Sequence, residues 1–345
     1  MKIIHIESGL GNQMLSYCEY LAIRKQNPED KCYIETVVFD IPECNEVINQ
    51  WNGYELERIF GINVPNIKQL MSEDQWKEFV RMVRESDFWH KNWNYPVYIT
   101  KALNTVGIPV ENWRGNFETD NNVRNAVGQR WYAKNILYAY YRHFQDKRHE
   151  SLALAKCGKE DKMFVKTDKS IFLGQQLGFR YRNSGIERID KEIREAFVFP
   201  EITDERNSEA LSRIKASNAV AVHVRRGDGL SFNYSYIATG YYKRAVKYIK
   251  QQTENPVFFI FCDPSSTEWC KSHEKTLGLS LKKDKVYFID WNKGENSWRD
   301  MQLMAQCKHN VTSNSSFSWW GAWLNNNSDK ITISPKITIN TTHHF

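Results

Sequence analysis

Residues 219–231, AVAVHVRRGDGLS, decide how the chain folds. The run 219–224 is apolar except for His223, the composition of a strand buried on both faces of a parallel sheet. It stops at two arginines, Arg225 and Arg226, followed by Gly227 and Asp228. In open α/β sheets ligands bind outside the carboxyl ends of the strands. Guanidinium groups there stay charged and grip phosphate oxygens through paired N–H donors. A diphosphate leaving group calls for such a clamp, because charge builds on its bridging oxygen as the bond breaks. The competing reading is a surface ion pair between Arg226 and Asp228.

Outward from this strand the pattern alternates. YYKRAVKYIKQQ (241–252) carries Tyr242, Ala245, Val246 and Ile249 as one helical stripe. VFFIFCD reads as a strand, TEWCKSHEKTL as a helix, KVYFID as a strand and SWRDMQLMAQC as a helix. HNVTSN, FSWWGAWLN and KITISP continue as strand, helix and last strand. Strands alternating with short helices predict an α/β class built on an open parallel sheet. The N-terminus begins the same way. KIIHI is a strand, ESGLGNQ a glycine-rich turn, and MLSYCEYLAIRKQ a helix with Met14, Tyr17, Cys18, Leu21 and Ala22 on one face. Asn12 is expected to cap that helix, and KCYIETVVF to follow as a second strand. From about 45 to 205 the pattern is less regular; NVRNAVGQRWYAKNILYAYYRHF reads as helical and ENWRGNFETD as strand and loop. A polar amphipathic stretch after residue 200 places a domain boundary there, giving domains 1–200 and 201–345.

Bulk properties agree with two globular domains. The chain has 345 residues, 41% hydrophobic and 26% charged. It contains no run of about 18 apolar residues, so no membrane span is expected. The apolar start is too short for the core of a signal peptide, which predicts a cytoplasmic protein, with association at the inner face of a membrane left open. Seven cysteines, an odd count with no C-x-x-C pair, argue for reduced thiols rather than a zinc site or disulfide framework. The net charge of +6 is mild and forms no Lys/Arg block, so nucleic acid is not an expected partner. Most of the 12 tryptophans are expected to pack in cores.

Four polar clusters fall where strands end. Ser8–Gln13, SGLGNQ, brings Gly9 and Gly11 to a helix N-terminus, a place for anions or sugar hydroxyls; it is neither a full G-x-G-x-x-G fingerprint nor a Walker loop, and a plain tight turn explains it equally well. The second cluster is His223 with Arg225, Arg226 and Asp228. The third, FCDPSSTEW, ends a strand at Asp263, suited to a ribose or base or else to capping a helix. The fourth, VTSNSSFSWWGAWL (311–324), runs Thr312, Ser313, Ser315, Ser316 and Ser318 into a helix, more hydroxyls than capping needs, with Trp319 and Trp320 fixing that helix to the sheet. Asp300 sits early in SWRDMQLMAQC, where an acid facing the helix dipole is an adequate explanation. No D-x-D triplet occurs, and no metal is expected.

With these clusters together, the chain resembles the α-1,2-fucosyltransferases of bacteria and animals (the family 11 type). The resemblance rests on GLGNQM (9–14), HVRRGD (223–228), DMQLMAQCKHNVTSNSSFSWWGAWL (300–324) and, more loosely, FIFCDPSSTEW (259–269). It implies a GT-B-like fold, two Rossmann-like domains facing a cleft, with GDP-fucose on the C-terminal one. It implies inverting, metal-independent transfer of L-fucose to the 2-hydroxyl of a terminal galactose in a glycan acceptor, with no cofactor. Arg225 would grip the diphosphate with His223 and Arg226 beside it. Asp300 would bind guanine, and Ser315, Ser316 and Phe317 would nest phosphate. Gly11, Asn12 and Gln13 would lie near the fucose, and Asp263 near the nucleotide, although Pro264 stands where the family has a second acid. Gly229 likewise replaces a larger residue. Asp228 and Glu7 are candidate general bases from strand-end placement. A fucosyltransferase of another linkage such as α-1,6, a sugar-binding lectin and a GDP-binding regulatory protein remain alternatives.

Overall fold

A computed structural model of the chain describes residues 1–48, 52–91, 94–113, 137, 140, 144, 160–181, 183–226 and 235–335. Asp228 and Gly229 lie outside them, as does most of the helical reading over 122–144 and of ENWRGNFETD beyond its first residues. The described chain up to Pro200 (137, 140 and 144 aside) forms one compact unit, and that from Glu201 onward forms a second. No helix among the described residues is long and apolar enough to cross a membrane.

The first unit is built on four parallel strands: β1 (Lys2–His5), β2 (Cys32–Glu35), β3 (Glu111–Trp113) and β4 (Ile171–Leu173), in the order β2-β1-β4-β3. Helix α1 (Leu10–Gln26) leaves β1 through the glycine-rich turn. Helices α2 (Glu73–Ser86) and α3 (Tyr95–Thr105) follow. Their Phe79, Val83, Ile99 and Leu103 pack with Ile3 and Phe172 in one fully buried cluster. Two expectations change here. Helix α1 starts at Leu10 with Gly9 as N-cap, so Asn12 lies inside the first turn and does not cap it. The second strand stops at Glu35, because the Glu35 carboxylate turns to accept the N–H of Val37, and Val37–Asp40 wind into a 3₁₀ turn.

The second unit carries α4 (Glu205–Lys215), β5 (Asn218–Val224), α5 (Tyr241–Gln252), β6 (Pro256–Cys262), α6 (Thr267–Ser272), β7 (Lys285–Ile289), α7 (Trp298–Gln306), β8 (His309–Val311), α8 (Ser316–Trp323) and β9 (Thr332–Ile333). Its five strands are all parallel in the order β7-β6-β5-β8-β9. Strand side chains alternate between faces, and both faces of β5 are covered. Val220, Val222 and Val224 pack with Tyr242, Val246 and Ile249 of α5. Ala219 and Ala221 pack with Ala210 and Ile214 of α4 and Leu303 and Met304 of α7. That double burial is why 219–224 reads as an unbroken apolar run. TEWCKSHEKTL, expected as one helix, divides at His273, whose backbone leaves the helical region (φ −112°, ψ 32°). There the Ser272 hydroxyl bonds back to Glu268 O at 2.8 Å and the His273 ring stacks on Trp269.

Candidate functional site

The site in the second unit follows from strand register. β5 and β8 are parallel neighbours with Val222 opposite Val311, so both leave the sheet in step and their continuations rise side by side. Alternate residues then meet at a constant offset. His223 Nδ1 lies 2.8 Å from Ser313 Oγ, and Arg225 Nη1 donates to Ser315 Oγ at 2.8 Å. The His223 carbonyl accepts the hydroxyl of buried Tyr242 at 2.7 Å, which holds the end of β5. Its ring is 6.0 Å from that of Phe317.

Ser315 does two things at once. It is the N-cap of α8, its Oγ accepting Phe317 N–H at 3.3 Å, and it holds the Arg225 guanidinium against that helix start. Ser313 and Ser318 bond one another, Oγ to Oγ at 3.3 Å and Ser313 N–H to Ser318 Oγ at 3.2 Å. Much of the hydroxyl excess noted above therefore shapes the turn itself. Trp320 is fully buried, as expected of an anchor, whereas Trp319 is half-buried and stacks on Trp323 rather than fixing the helix to the sheet. The first turn of a helix presents unsatisfied N–H groups and the positive end of the macrodipole. A guanidinium beside it adds like charge, which is unfavourable unless an anion joins both. The arrangement sets a guanidinium beside a helix N-terminus at the C-terminal edge of a parallel sheet.

Arg226 goes elsewhere. Its Cζ lies 3.8 Å from the centroid of the Trp269 ring, a cation–π contact. Asp263, just past β6, makes no side-chain capping bond to the 3₁₀ turn it precedes, so the capping explanation does not apply to it. Asp300 sits in the first turn of α7, half-buried, and accepts Asn292 Nδ2 at 2.7 Å. Burial pushes its carboxyl well above the usual range, opposed by the Asn292 bond. The helix-dipole explanation alone is therefore too simple.

Sequence reasoning missed what holds Asp300. Asn292 and Asn207 exchange amide bonds at 2.9 and 3.0 Å, Trp291 Nε1 donates to Asn207 Oδ1 at 3.0 Å, and Asp204 accepts from Asn207 at 3.0 Å. A buried amide ladder thus ties α4 and the exit of β7 to α7. The one sequence signal was a polar Trp-Asn pair directly after KVYFID.

The second unit brings together His223, Arg225, Ser315, Ser316 and Phe317, with Arg226 over Trp269 and Asp300 near Asp263. Gly11, Asn12 and Gln13 stand in the first unit, at the start of α1. Gln13 is fully buried and its amide is occupied: Nε2 donates to Ser8 O and Gly53 O, both at 2.8 Å, and Oε1 accepts Glu55 N–H at 2.8 Å. It ties the glycine-rich turn to a distant loop. Gly11 is buried and Asn12 half-buried beside it. Among the described residues, no group of three or more His, Cys, Asp or Glu is placed to hold a metal ion.

Residues 177–344 match the family model described as glycosyl transferase family 11. An alpha-1,2-colitosyltransferase of Escherichia coli is 41% identical over 127 residues, 35% of this chain and 41% of that protein. The O-antigen biosynthesis glycosyltransferase WbnK of Escherichia coli is 34% identical over 125 residues, 35% of this chain and 39% of that protein. Galactoside alpha-(1,2)-fucosyltransferase 1 of Saimiri sciureus is 25% identical over 159 residues, 43% and 42% of the two chains. The chain thus spans about two fifths of the length of these curated relatives. Among solved structures, NodZ alpha-1,6-fucosyltransferase co-crystallized with GDP aligns over 93% of this chain and 90% of its own, with 14% identity and a TM-score of 0.43.

Proposed function

We propose, from the match of residues 177–344 to the model of glycosyl transferase family 11, that the protein transfers L-fucose from GDP-fucose to the 2-hydroxyl of a terminal galactose in a glycan, with inversion and without metal. In this reading the second α/β unit of a GT-B-like fold holds the donor and the first the acceptor. The observation that carries it is the Arg225 guanidinium, anchored 2.8 Å from the capping hydroxyl of α8.

The chemistry asks for what that corner supplies. As the bond from the anomeric carbon to the diphosphate oxygen breaks, negative charge gathers on the phosphates. Arg225 and the first-turn N–H groups of α8, fixed before the reaction, stabilise that charge without reorganising. Ser316 and Phe317 contribute backbone to the nest, and His223, braced by Ser313, flanks it. Asp300, held by Asn292, offers its carboxyl to the N–H edge of guanine, whose donors would offset the burial that disfavours its ionised form, with Asp263 nearby. Asp228 follows directly on the two arginines and is a candidate to receive the acceptor proton. The 1,2 linkage is supported by two relatives, an alpha-1,2-colitosyltransferase and a galactoside alpha-(1,2)-fucosyltransferase. The 41% identity to the former favours one second reading, in which the transferred sugar is colitose.

The test is an assay with lactose as acceptor, GDP-fucose and GDP-colitose offered in separate reactions, EDTA present, and product linkage read by NMR. A 2-linked fucose at undiminished rate is expected. Product from GDP-colitose alone would replace the donor, a different linkage would replace the 1,2 assignment, and loss of activity in EDTA would remove metal independence. Failure to bind GDP would overturn the reading.

A further inference from the structure

The amide ladder beside Asp300 has a direction, and its ends set it. At one end stands Asp204, the N-cap of α4, which accepts the backbone N–H of Asn207 at 2.9 Å and its side-chain Nδ2 at 3.0 Å. Burial acts against its charge, but those two donors hold the carboxyl below its ordinary range, so it only accepts. At the other end stands Trp291, whose indole N–H can only donate and does so to Asn207 Oδ1 at 3.0 Å. An amide between an obligate acceptor and an obligate donor has one orientation.

Asn207 passes that orientation on. Its Nδ2 donates to Asn292 Oδ1 at 2.9 Å, and its Oδ1 accepts from Asn292 Nδ2 at 3.0 Å. Both side chains are buried, which shields the exchange from water. The second N–H of Asn292 Nδ2 then goes to Asp300 Oδ1 at 2.7 Å. A proton on that oxygen would meet a donor, so Oδ1 is held as an acceptor, and Oδ2 is the oxygen that can carry a proton or give one up.

That asymmetry bears on which base the site takes. Guanine presents two N–H donors on its pairing edge, whereas adenine presents one N–H and a bare ring nitrogen that needs a donor. A carboxylate, which only accepts, matches guanine; a protonated carboxyl, donor and acceptor together, matches adenine. Burial favours the protonated form of Asp300, and the Asn292 bond opposes it. The other titratable groups acting on Asp300 are Cys262 and Asp263 at the exit of β6 and Asp290 at that of β7, none of them a cation. Of the nearby arginines, Arg299 acts on Asp204 and Arg206 lies over the Trp291 ring at 4.4 Å.

We propose that Asn292, aimed by Asn207 and Trp291, is a positioning residue that selects the purine of the donor: it keeps Asp300 an acceptor and so favours guanine over adenine. This rests on the reading under Proposed function in which Asp300 meets the base. Where Oδ2 carries a proton, guanine binding releases it to water, and the two N–H groups of the base take its place.

The test is titration calorimetry of the full chain with GDP and with ADP across a range of pH. Wild type should favour GDP. Asn292→Leu, similar in size but without a donor, should cut the preference for GDP over ADP by about tenfold or more at neutral pH, the scale of one hydrogen bond to a charged group. The preference should return as pH rises, because Asp300 then ionises unaided; a merely structural loss would weaken both nucleotides alike at every pH. Trp291→Phe keeps a ring but removes the N–H that orients Asn207. It should shift the preference in the same sense by less, and it decides the matter if Asn292→Leu does not fold. Asp300→Asn should abolish the preference. If it does so while the ladder variants stay within about threefold of wild type at every pH, less than such a bond is worth, Asn292 has no such role and the proposed function stands. A preference that survives Asp300→Asn would remove Asp300 from the base and this inference with it. A wild type that binds neither nucleotide would overturn the proposed function as well.

Discussion

At the residue scale the decisive contact is Arg225 to Ser315. One hydroxyl serves a helix cap and a cation, so the guanidinium is aimed before any ligand arrives. Arg225→Ala removes the charge and leaves the cap, because Ser315 still accepts Phe317 N–H. The expected outcome is a loss of kcat of roughly 10²–10³-fold, the scale of deleting one preorganised donor at developing charge. The melting temperature should stay within a few degrees of wild type. Steady-state kinetics beside calorimetry checks both; near-normal turnover would remove the clamp from the mechanism. Neighbouring Arg226 makes a different contact, laid over the Trp269 ring of α6 at 3.8 Å.

At the element scale the proposed diphosphate clamp depends on where α8 starts, and that depends on how α8 packs on α7. Gly321 makes the contact close. A Cβ there would lie 2.9 Å from Met304 Cβ, an atom attached to the backbone that cannot swing aside. Gly321→Ala gains about 1 kcal/mol in helix propensity, but overpacking of this kind costs about 1–3 kcal/mol, and the steric term should win. The variant is expected to melt several degrees lower. Since α8 must move away from α7 and carry Ser315 with it, GDP binding measured by titration calorimetry should weaken too. A more stable variant with unchanged GDP affinity would show that α8 tolerates displacement.

For the molecule as a whole, pH acts through buried groups of the first unit. His5 is raised from 6.5 to about 9, so its contribution to stability is complete below pH 6.5 and is lost as pH rises through about 9. Glu19 is raised from 4.5 to about 8 by burial, against the N–H groups of Gln176 and Leu177 that it accepts. The folded chain keeps a proton there that the unfolded chain releases, so stability falls as pH rises from 4.5 through 8. Both have the same sign, and because they interact they titrate jointly rather than additively. Melting temperature should be several degrees lower at pH 9.5 than at pH 6. Glu19→Gln, which still accepts the N–H groups but carries no charge, should flatten the part of the decline below pH 8. A flat wild-type curve would mean that these groups titrate normally.

The sequence by itself determined the class of fold and which polar clusters stand at strand ends. Hydrophobic period and strand-to-helix alternation are local, so 219–224 announced a doubly covered strand, and Arg225 and Arg226 at its tip announced a ligand edge. Local pattern also misled where tertiary contacts compete with it: Glu35 ended a strand that the apolar run continued, Gly9 took the cap expected of Asn12, and His273 divided a helix. Only the tertiary structure paired residue 225 with 315 and sent residue 226 to an indole, because strand register across some ninety residues is not written in either segment. The Asn207–Asn292 ladder under Asp300 and the buried His5–Glu35 pair were hidden for the same reason. Burial and neighbours decide what a buried amide or carboxylate does, and those are properties of packed elements rather than of spacing along the chain.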